Sequence, residues 1–154
     1  MKDLKMMMTT SISEVLETMF FMALEFDDYA TLEDSGLLNE DNVRSCILSF
    51  NGDFSGHFTI FIPETILVTM AIDFMGEEKE NITREHSDGI IKEVINMVAG
   101  NMFAALDNQA EFDLGIPEMV DSGSFLSEIA KSQPKDLVLA ESIDGHLGFA
   151  IETE

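Results

Sequence analysis

Residues 86–106 carry a long helical pattern, and this segment limits the folds that the chain can adopt. At about 100° per residue, its apolar positions fall on one stripe, which must be buried against another layer of the protein. The stripe consists of Ile91, Ile95, Val98, Met102, Ala105 and Leu106. A helix of this length needs a broad apolar surface to cover, and a sheet built from strand-like segments of the same chain can supply it.

The remaining segments predict a mixed fold with both helices and strands. Helical patterns cover residues 9–24, 63–74, 86–106 and 122–131, and strand patterns cover residues 44–50, 53–62, 112–120, 136–143 and 146–152. Pro117 interrupts the third strand pattern and predicts a place at the edge of the sheet. No linker rich in Pro, Gly or Ser divides the chain. We therefore predict one α+β domain over residues 1–154, with a mostly antiparallel sheet and long helices packed on one face.

Local signals refine these predictions. Ser11 and Glu14 have the spacing of a capping box, which predicts that the first helix begins near residue 10. Asn51 and Gly52 tolerate a positive φ, so we expect them to close a tight hairpin between the first two strands. Gly76 has the position of a glycine that ends a helix in the left-handed conformation.

The charge of the chain is strongly negative and excludes several classes of partner. Its 154 residues include 30 acidic and 8 basic side chains, which gives a net charge of −22. Such a surface repels nucleic-acid phosphates and anionic lipid, so we expect neither nucleic acid nor a membrane as a partner. The longest uncharged run, residues 94–106, is too short to span a bilayer. A protein that docks here should present basic groups.

The sequence lacks the common motifs of metal, nucleotide and nucleophilic chemistry. Its three histidines do not have the spacing of metal ligands, and no glycine-rich phosphate loop or Gly-x-Ser-x-Gly turn is present. We therefore expect no metal site. The single cysteine, Cys46, excludes an internal disulfide and favours a reducing compartment, so we expect a cytoplasmic protein.

The side of residues 86–106 opposite the apolar stripe has an unusual composition. Glu93, Asn96, Met97 and Gly100 fall together there, near Gly89. Glycine in a helix interior costs about 1 kcal/mol relative to alanine, and asparagine is also a poor helix former. Two interpretations remain open at this point. The face docks against a partner, or it is solvated and its glycines mark where a neighbouring helix crosses.

A family resemblance favours the docking interpretation. The stretch Glu93-Val-Ile-Asn96-Met-Val-Ala-Gly100-Asn101 resembles the signature helix of the CheC/CheX/FliY phosphatases of bacterial chemotaxis. That signature has a Glu, an Asn three residues later, and a Gly four residues after the Asn. The order of the surrounding elements resembles the CheX branch over nearly the whole chain, apart from residues 25–42.

The resemblance implies a function and a set of roles. It implies a phosphatase that stimulates hydrolysis of the aspartyl phosphate of a CheY-type response regulator. Asn96 would orient the attacking water, and Glu93 would pair with a lysine of the regulator's active site. The residues implied to contact the phosphorylated regulator are Gly89, Met97, Gly100 and Asn101. The protein would have no cofactor of its own, because the regulator supplies the Mg²⁺, and it would form a homodimer by joining sheet edges.

Two departures from the family pattern are visible. The family often has Asp or Ser four residues before the Glu, where this chain has Gly89, with Asp88 one residue away. CheC-type members have a second Glu-x-x-Asn on the first helix, which this chain lacks, so we expect one site, as in CheX. The alternative from another functional class is a non-catalytic dimeric adaptor, which would bind a receiver domain or motor component through the same face without depending on Asn96.

Overall fold

The computed structural model describes residues 4–26, 32–39, 42–105, 112–132 and 136–154. Its strands are β1 (Glu25–Phe26), β2 (Val43–Asn51), β3 (Gly56–Pro63), β4 (Asp113–Leu114), β5 (Glu118–Val120), β6 (Leu137–Ser142) and β7 (Gly145–Thr153). They form one sheet in the order β1-β6-β7-β3-β2-β4, and β5 also pairs with β2. All of these pairings are antiparallel, which confirms the predicted type of sheet.

The helices cover the two faces of the sheet unequally. They are α1 (Leu4–Phe20), α2 (Leu32–Ser35), α3 (Glu64–Met75), α4 (Arg84–Ala104) and α5 (Ser122–Ser132), with short 3-10 turns at Leu37–Asn39 and Lys79–Asn81. The long helices α1, α3 and α4 share the larger hydrophobic core with one face of the sheet, as predicted. The sequence did not indicate that α2 and α5 cover the other face, where they form a smaller core.

Side chains alternate between the two faces of the sheet along each strand, so one strand can contribute to both cores. Phe58, Ile60 and Ile62 of β3 point into the larger core, whereas Phe61 lies in the smaller one, because successive side chains of a strand face opposite ways. All four side chains are fully buried. Burial of each such side chain stabilises the fold by about 1.5–3 kcal/mol. The sheet is therefore a two-sided scaffold, and α4 lies on its more heavily packed side.

The prediction for the first helix was wrong at both ends. The helix begins at Leu4, and the hydroxyls of Thr9 and Thr10 donate to carbonyls four residues earlier at 2.9 and 3.0 Å. Ser11 is a buried residue in the middle of α1 and does not cap it. The helix ends before Phe21, whose φ of 52° is left-handed and interrupts the helical path.

The predicted hairpin is present, but its turn differs from the prediction. Phe50 pairs with Gly56, so the connection is longer than a two-residue turn. Neither Asn51 nor Gly52 has a positive φ. The ring of Phe54, within this connection, packs edge-on against Phe50, with centroids 5.7 Å apart, and lies against the larger core.

Several other local predictions are confirmed. Gly76 ends α3 with a φ of 69°, and its N–H donates to the carbonyl of Ile72 at 2.9 Å. The strand interrupted by Pro117 becomes β4 and β5, which both pair with the outer side of β2.

In the ranges that the structure describes, no helix combines the length and the hydropathy that crossing a membrane requires.

Cys46 lies fully buried on β2, and this burial predicts an inert thiol. Desolvation raises the pKa of the Cys46 thiol to about 11. The neutral thiol should therefore contribute stability at lower pH, and this contribution should be lost as the pH rises through the raised pKa.

At pH 8, we expect a disulfide reagent to label native Cys46 at least about a hundredfold more slowly than urea-unfolded protein. A Cys46→Ala/Ser127→Cys variant, which carries an exposed thiol, is the control and should label rapidly when folded.

Candidate functional site

The candidate site lies on α4, and a capping box determines where this helix begins. The Thr83 hydroxyl accepts the N–H of His86 at 3.2 Å, and Nδ1 of His86 accepts the N–H of Thr83 at 3.1 Å. Two otherwise unpaired backbone donors are thereby satisfied. From this point α4 runs for 21 residues and packs against α1, α3, β2 and β3. A helix held on these sides presents its remaining face outwards.

The predicted apolar stripe of α4 is largely confirmed. Ile91, Ile95, Val98 and Met102 are fully buried. Ala105 is exposed, and Leu106 lies outside the described residues. The complete set of buried residues is Ser87, Ile90, Ile91, Val94, Ile95, Val98, Ala99, Met102 and Phe103. This stripe fixes the rotation of α4 about its axis, and with it the direction of the opposite face.

Glu93 and Asn96 lie on that opposite face, one turn apart. Glu93 is exposed and Asn96 is half-buried. Residues three apart on a helix are surface neighbours, with about 5–6 Å between their Cβ atoms. Within the described part of the chain, neither side chain forms a hydrogen bond or an ion pair. Both groups are therefore available to an external partner.

The glycines of this face bear on one part of the second interpretation, the crossing of a neighbouring helix. A Cβ placed on Gly89 or on Gly100 would have no described atom within 4 Å, apart from the helix's own nearby backbone. No described helix therefore crosses α4 at these points. The space beside both glycines is open, as a docking face requires.

Met97 and Asn101 are more involved in the protein itself than the sequence suggested. Met97 is partly buried and packs against the larger core. The amide of Asn101 joins α4 to α1: its oxygen accepts the Ser11 hydroxyl at 3.0 Å, and its nitrogen donates to the Glu14 carboxylate at 3.3 Å. These bonds fix α4 beside α1 at the far end of the candidate site.

Asp88, next to the position where the family has an acid, is already paired. Its carboxylate accepts a hydrogen bond from Nη2 of Arg44 on β2, and the side chains are 29% and 12% exposed. Asp88 therefore anchors the start of α4 to the sheet. Arg44 was not among the predicted site residues, although an arginine in an otherwise uncharged strand is a signal, because a buried charge requires a partner.

The Glu93 and Asn96 side chains of this face can position other groups and form hydrogen bonds. The Glu93 carboxylate only accepts hydrogen bonds when ionised, whereas the Asn96 amide both donates and accepts them. Among the residues that the structure describes, no group of three His, Cys, Asp or Glu side chains could hold a metal ion.

The family model for "Chemotaxis phosphatase CheX" matches residues 44–138, which is more than half of the chain. The chain belongs to the CheX family. The matched part contains α4 with Glu93 and Asn96, and also Arg44 at its first residue. No curated protein sequence matches the chain significantly.

Solved structures of CheX and CheC-like proteins have the same fold. CheX from Vibrio vulnificus matches with a TM-score of 0.75 and 17% identity, over 99% of this chain and 97% of that one. A CheC-like superfamily protein from a Shewanella species matches at 0.69 and 22%, over 100% and 99%. The CheX-CheY-BeF3-Mg²⁺ complex from Borrelia burgdorferi matches at 0.68 and 18%, over 97% and 98%. At these identities the similarity establishes the fold.

Proposed function

We propose that this CheX-family protein stimulates hydrolysis of the aspartyl phosphate on a CheY-type response regulator and so ends a chemotaxis signal. The observation that carries the proposal is the pair of Glu93 and Asn96 side chains, one turn apart on the open face of α4 and unpaired within the described chain. The family supports a phosphatase, and the Borrelia burgdorferi complex supports a CheY-type partner.

The proposed reaction needs little covalent chemistry from this protein. Water attacks the phosphorus of the acyl phosphate, and the regulator's aspartate leaves as a carboxylate. The regulator's own Mg²⁺ would stabilise the charge, so the helper's main task is to hold the water in line. The Asn96 amide suits this task, because its oxygen can accept a hydrogen bond from the water while its nitrogen donates one to a phosphoryl oxygen.

The surrounding residues are proposed to let the regulator approach and to hold it there. Glu93 would pair with a lysine of the regulator, a charge-assisted contact that fixes orientation. Gly89 and Gly100 would admit the regulator's loops, since the space beside them is open. Met97 would present the part of its side chain that remains exposed. Asn101 would lie at the margin of the contact area, with its amide committed to α1.

We propose the cytoplasm as the location and a homodimer as the assembly. The free, buried Cys46 is consistent with a reducing compartment. Among the described residues, the outer edge of β2 pairs only with the short strands β4 and β5, and the exposed Ile116 lies between these two strands in the sequence. A sheet edge of this kind is suited to pairing with a second copy.

The direct test is the lifetime of the phosphoryl group on a CheY-type regulator, with and without this protein. We expect catalytic amounts of the protein to shorten that lifetime in the presence of Mg²⁺. Binding to the phosphorylated regulator with no change in the lifetime would support the non-catalytic adaptor instead.

Replacement of Glu93 should weaken docking. We expect Glu93→Ala to reduce affinity for the phosphorylated regulator by about three- to tenfold, because an exposed ion pair is lost. Raised salt should also reduce the affinity of the parent protein, because it screens the exposed ion pair, and it should have less effect on the variant. Glu85→Ala removes an exposed carboxylate from the first turn of the same helix and should leave the affinity nearly unchanged. Equal effects of the two substitutions would contradict the role of Glu93.

Gly100 offers a test in which stability and docking should change in opposite directions. Gly100→Leu should raise the free energy of unfolding by about 1 kcal/mol, because leucine is a better helix former than glycine. Nothing described lies within 4 Å of the new Cβ to oppose this gain. The same side chain should obstruct the regulator and abolish stimulated dephosphorylation. Thermal unfolding and the phosphoryl lifetime measure the two effects. A more stable variant with full activity would show that the regulator does not approach α4 here.

A further inference from the structure

A cavity of about 480 Å³ lies between the start of β2, the start of α5 and the first residue of α4. Neither Glu93 nor Asn96 lines it. Its walls include both arginines of the sequence, Arg44 and Arg84, in a chain with a net charge of −22. A concave surface lined by both arginines of so acidic a protein is a candidate for binding an anion.

Arg44 has hydrogen-bonding capacity that the protein does not use. Nη2 donates to Asp88, whereas Nη1 is buried and has no partner in the described part of the chain. An unsatisfied buried donor on a charged group destabilises the folded protein. An acceptor bound in the cavity would offset that cost if the guanidinium turned towards it. Arg84 is exposed and forms no ion pair with the described residues, so its charge is also free to pair with a ligand.

The first turn of α5 adds backbone donors to the same wall. Ser122 and Gly123 line the cavity at the N-terminus of this 11-residue helix. The nearby Asp121 carboxylate also lines it, but this group accepts the Ser124 hydroxyl at 3.0 Å and no described N–H of the first turn. Those N–H groups therefore remain available, at the end of the helix where its dipole favours negative charge.

The rest of the lining is mixed. Leu38 and Val120 are half-buried and contribute apolar surface, whereas Asn42 and Ser127 contribute polar groups. Leu37, Val43 and Leu126 also line the cavity but are almost fully buried in the smaller core. We propose that the cavity binds a small organic anion, whose phosphate or carboxylate head contacts Arg44, Arg84 and the start of α5 and whose short apolar body lies against Leu38 and Val120. This would be a ligand site separate from the face of Glu93 and Asn96.

Three probes separate the parts of the proposal: hexyl phosphate, hexanoate and inorganic phosphate. Each is titrated into the full chain at constant ionic strength, with sodium chloride as the balancing salt, and backbone amide shifts are followed by NMR. We expect saturable shifts at Ser122, Gly123 and Arg44. Hexyl phosphate or hexanoate should bind more tightly than inorganic phosphate, and the better of these two heads identifies the class of anion.

Variants assign the binding to the cavity. Arg84→Gln should weaken binding of the better probe by about tenfold. Ser122→Pro should also weaken it, because proline removes a backbone donor but is tolerated in the first turn of a helix. Lys131→Gln removes the same unit of charge from the other end of α5 and is the matched control. The proposal is overturned if hexyl phosphate and hexanoate give no saturable shift, if inorganic phosphate binds as tightly as they do, or if Lys131→Gln weakens binding as much as Arg84→Gln.

Discussion

Asn96→Ala should reduce the stimulated dephosphorylation of the regulator by about a hundredfold or more. The reason is that alanine has no group that can orient the water, while the rest of the docking face is unchanged. Binding to the phosphorylated regulator should survive with similar affinity. The fold should survive too, because the Asn96 side chain has no hydrogen bond to lose in the described chain and alanine is the better helix former. Phosphoryl lifetime, affinity and thermal unfolding are the three measurements.

A matched variant tests whether the loss is specific. Asn81→Ala makes the same chemical change at an exposed residue just before α4, where the amide bonds only to Glu77 among the described residues. This control should keep full activity. If Asn96→Ala shortens the phosphoryl lifetime as effectively as the parent does, the proposed mechanism is wrong, even if docking through α4 is correct.

The periodic features of the fold were predictable from the sequence, and the features that depend on tertiary contacts were not. Helices α3, α4 and α5 follow from apolar spacing, because each buries one regular face, and the long strands follow from short apolar segments bounded by turn residues. The start of α1 was missed because Ser11 matches a cap locally, whereas its hydroxyl bonds to Asn101, 90 residues away. The two-residue strand β1 is too short to produce a recognisable pattern.

The candidate site was also predictable only in part from the sequence. The helical period places Glu93 and Asn96 on one face, and the structure leaves both side chains without partners in the described chain. The period could not reveal that Asp88 is held by Arg44, since this contact depends on how α4 lies across β2. Nor could it show that the space beside Gly89 is open, because that depends on where the other helices pass.

Gly148→Ala should be among the most destabilising single substitutions in this protein. Gly148 of β7 is paired with Phe61 of β3, and a Cβ at this position would lie 2.1 Å from one carbon of the Phe61 ring and 2.5 Å from the next. The ring cannot move away freely, because Phe61 is fully buried in the smaller core. We expect a loss of about 3 kcal/mol in the free energy of unfolding, measured from urea transitions.

Two further variants test the steric explanation. Gly89→Ala makes the same change where nothing described lies within 4 Å, and it should stabilise the protein by about 0.5–1 kcal/mol. Phe61→Leu removes the ring that obstructs the new methyl group, so the Gly148→Ala/Phe61→Leu double variant should be more stable than the sum of the single effects predicts, by about 1 kcal/mol or more. Additive effects would mean that the loss at Gly148 arises from the backbone of β7 and not from contact with the ring.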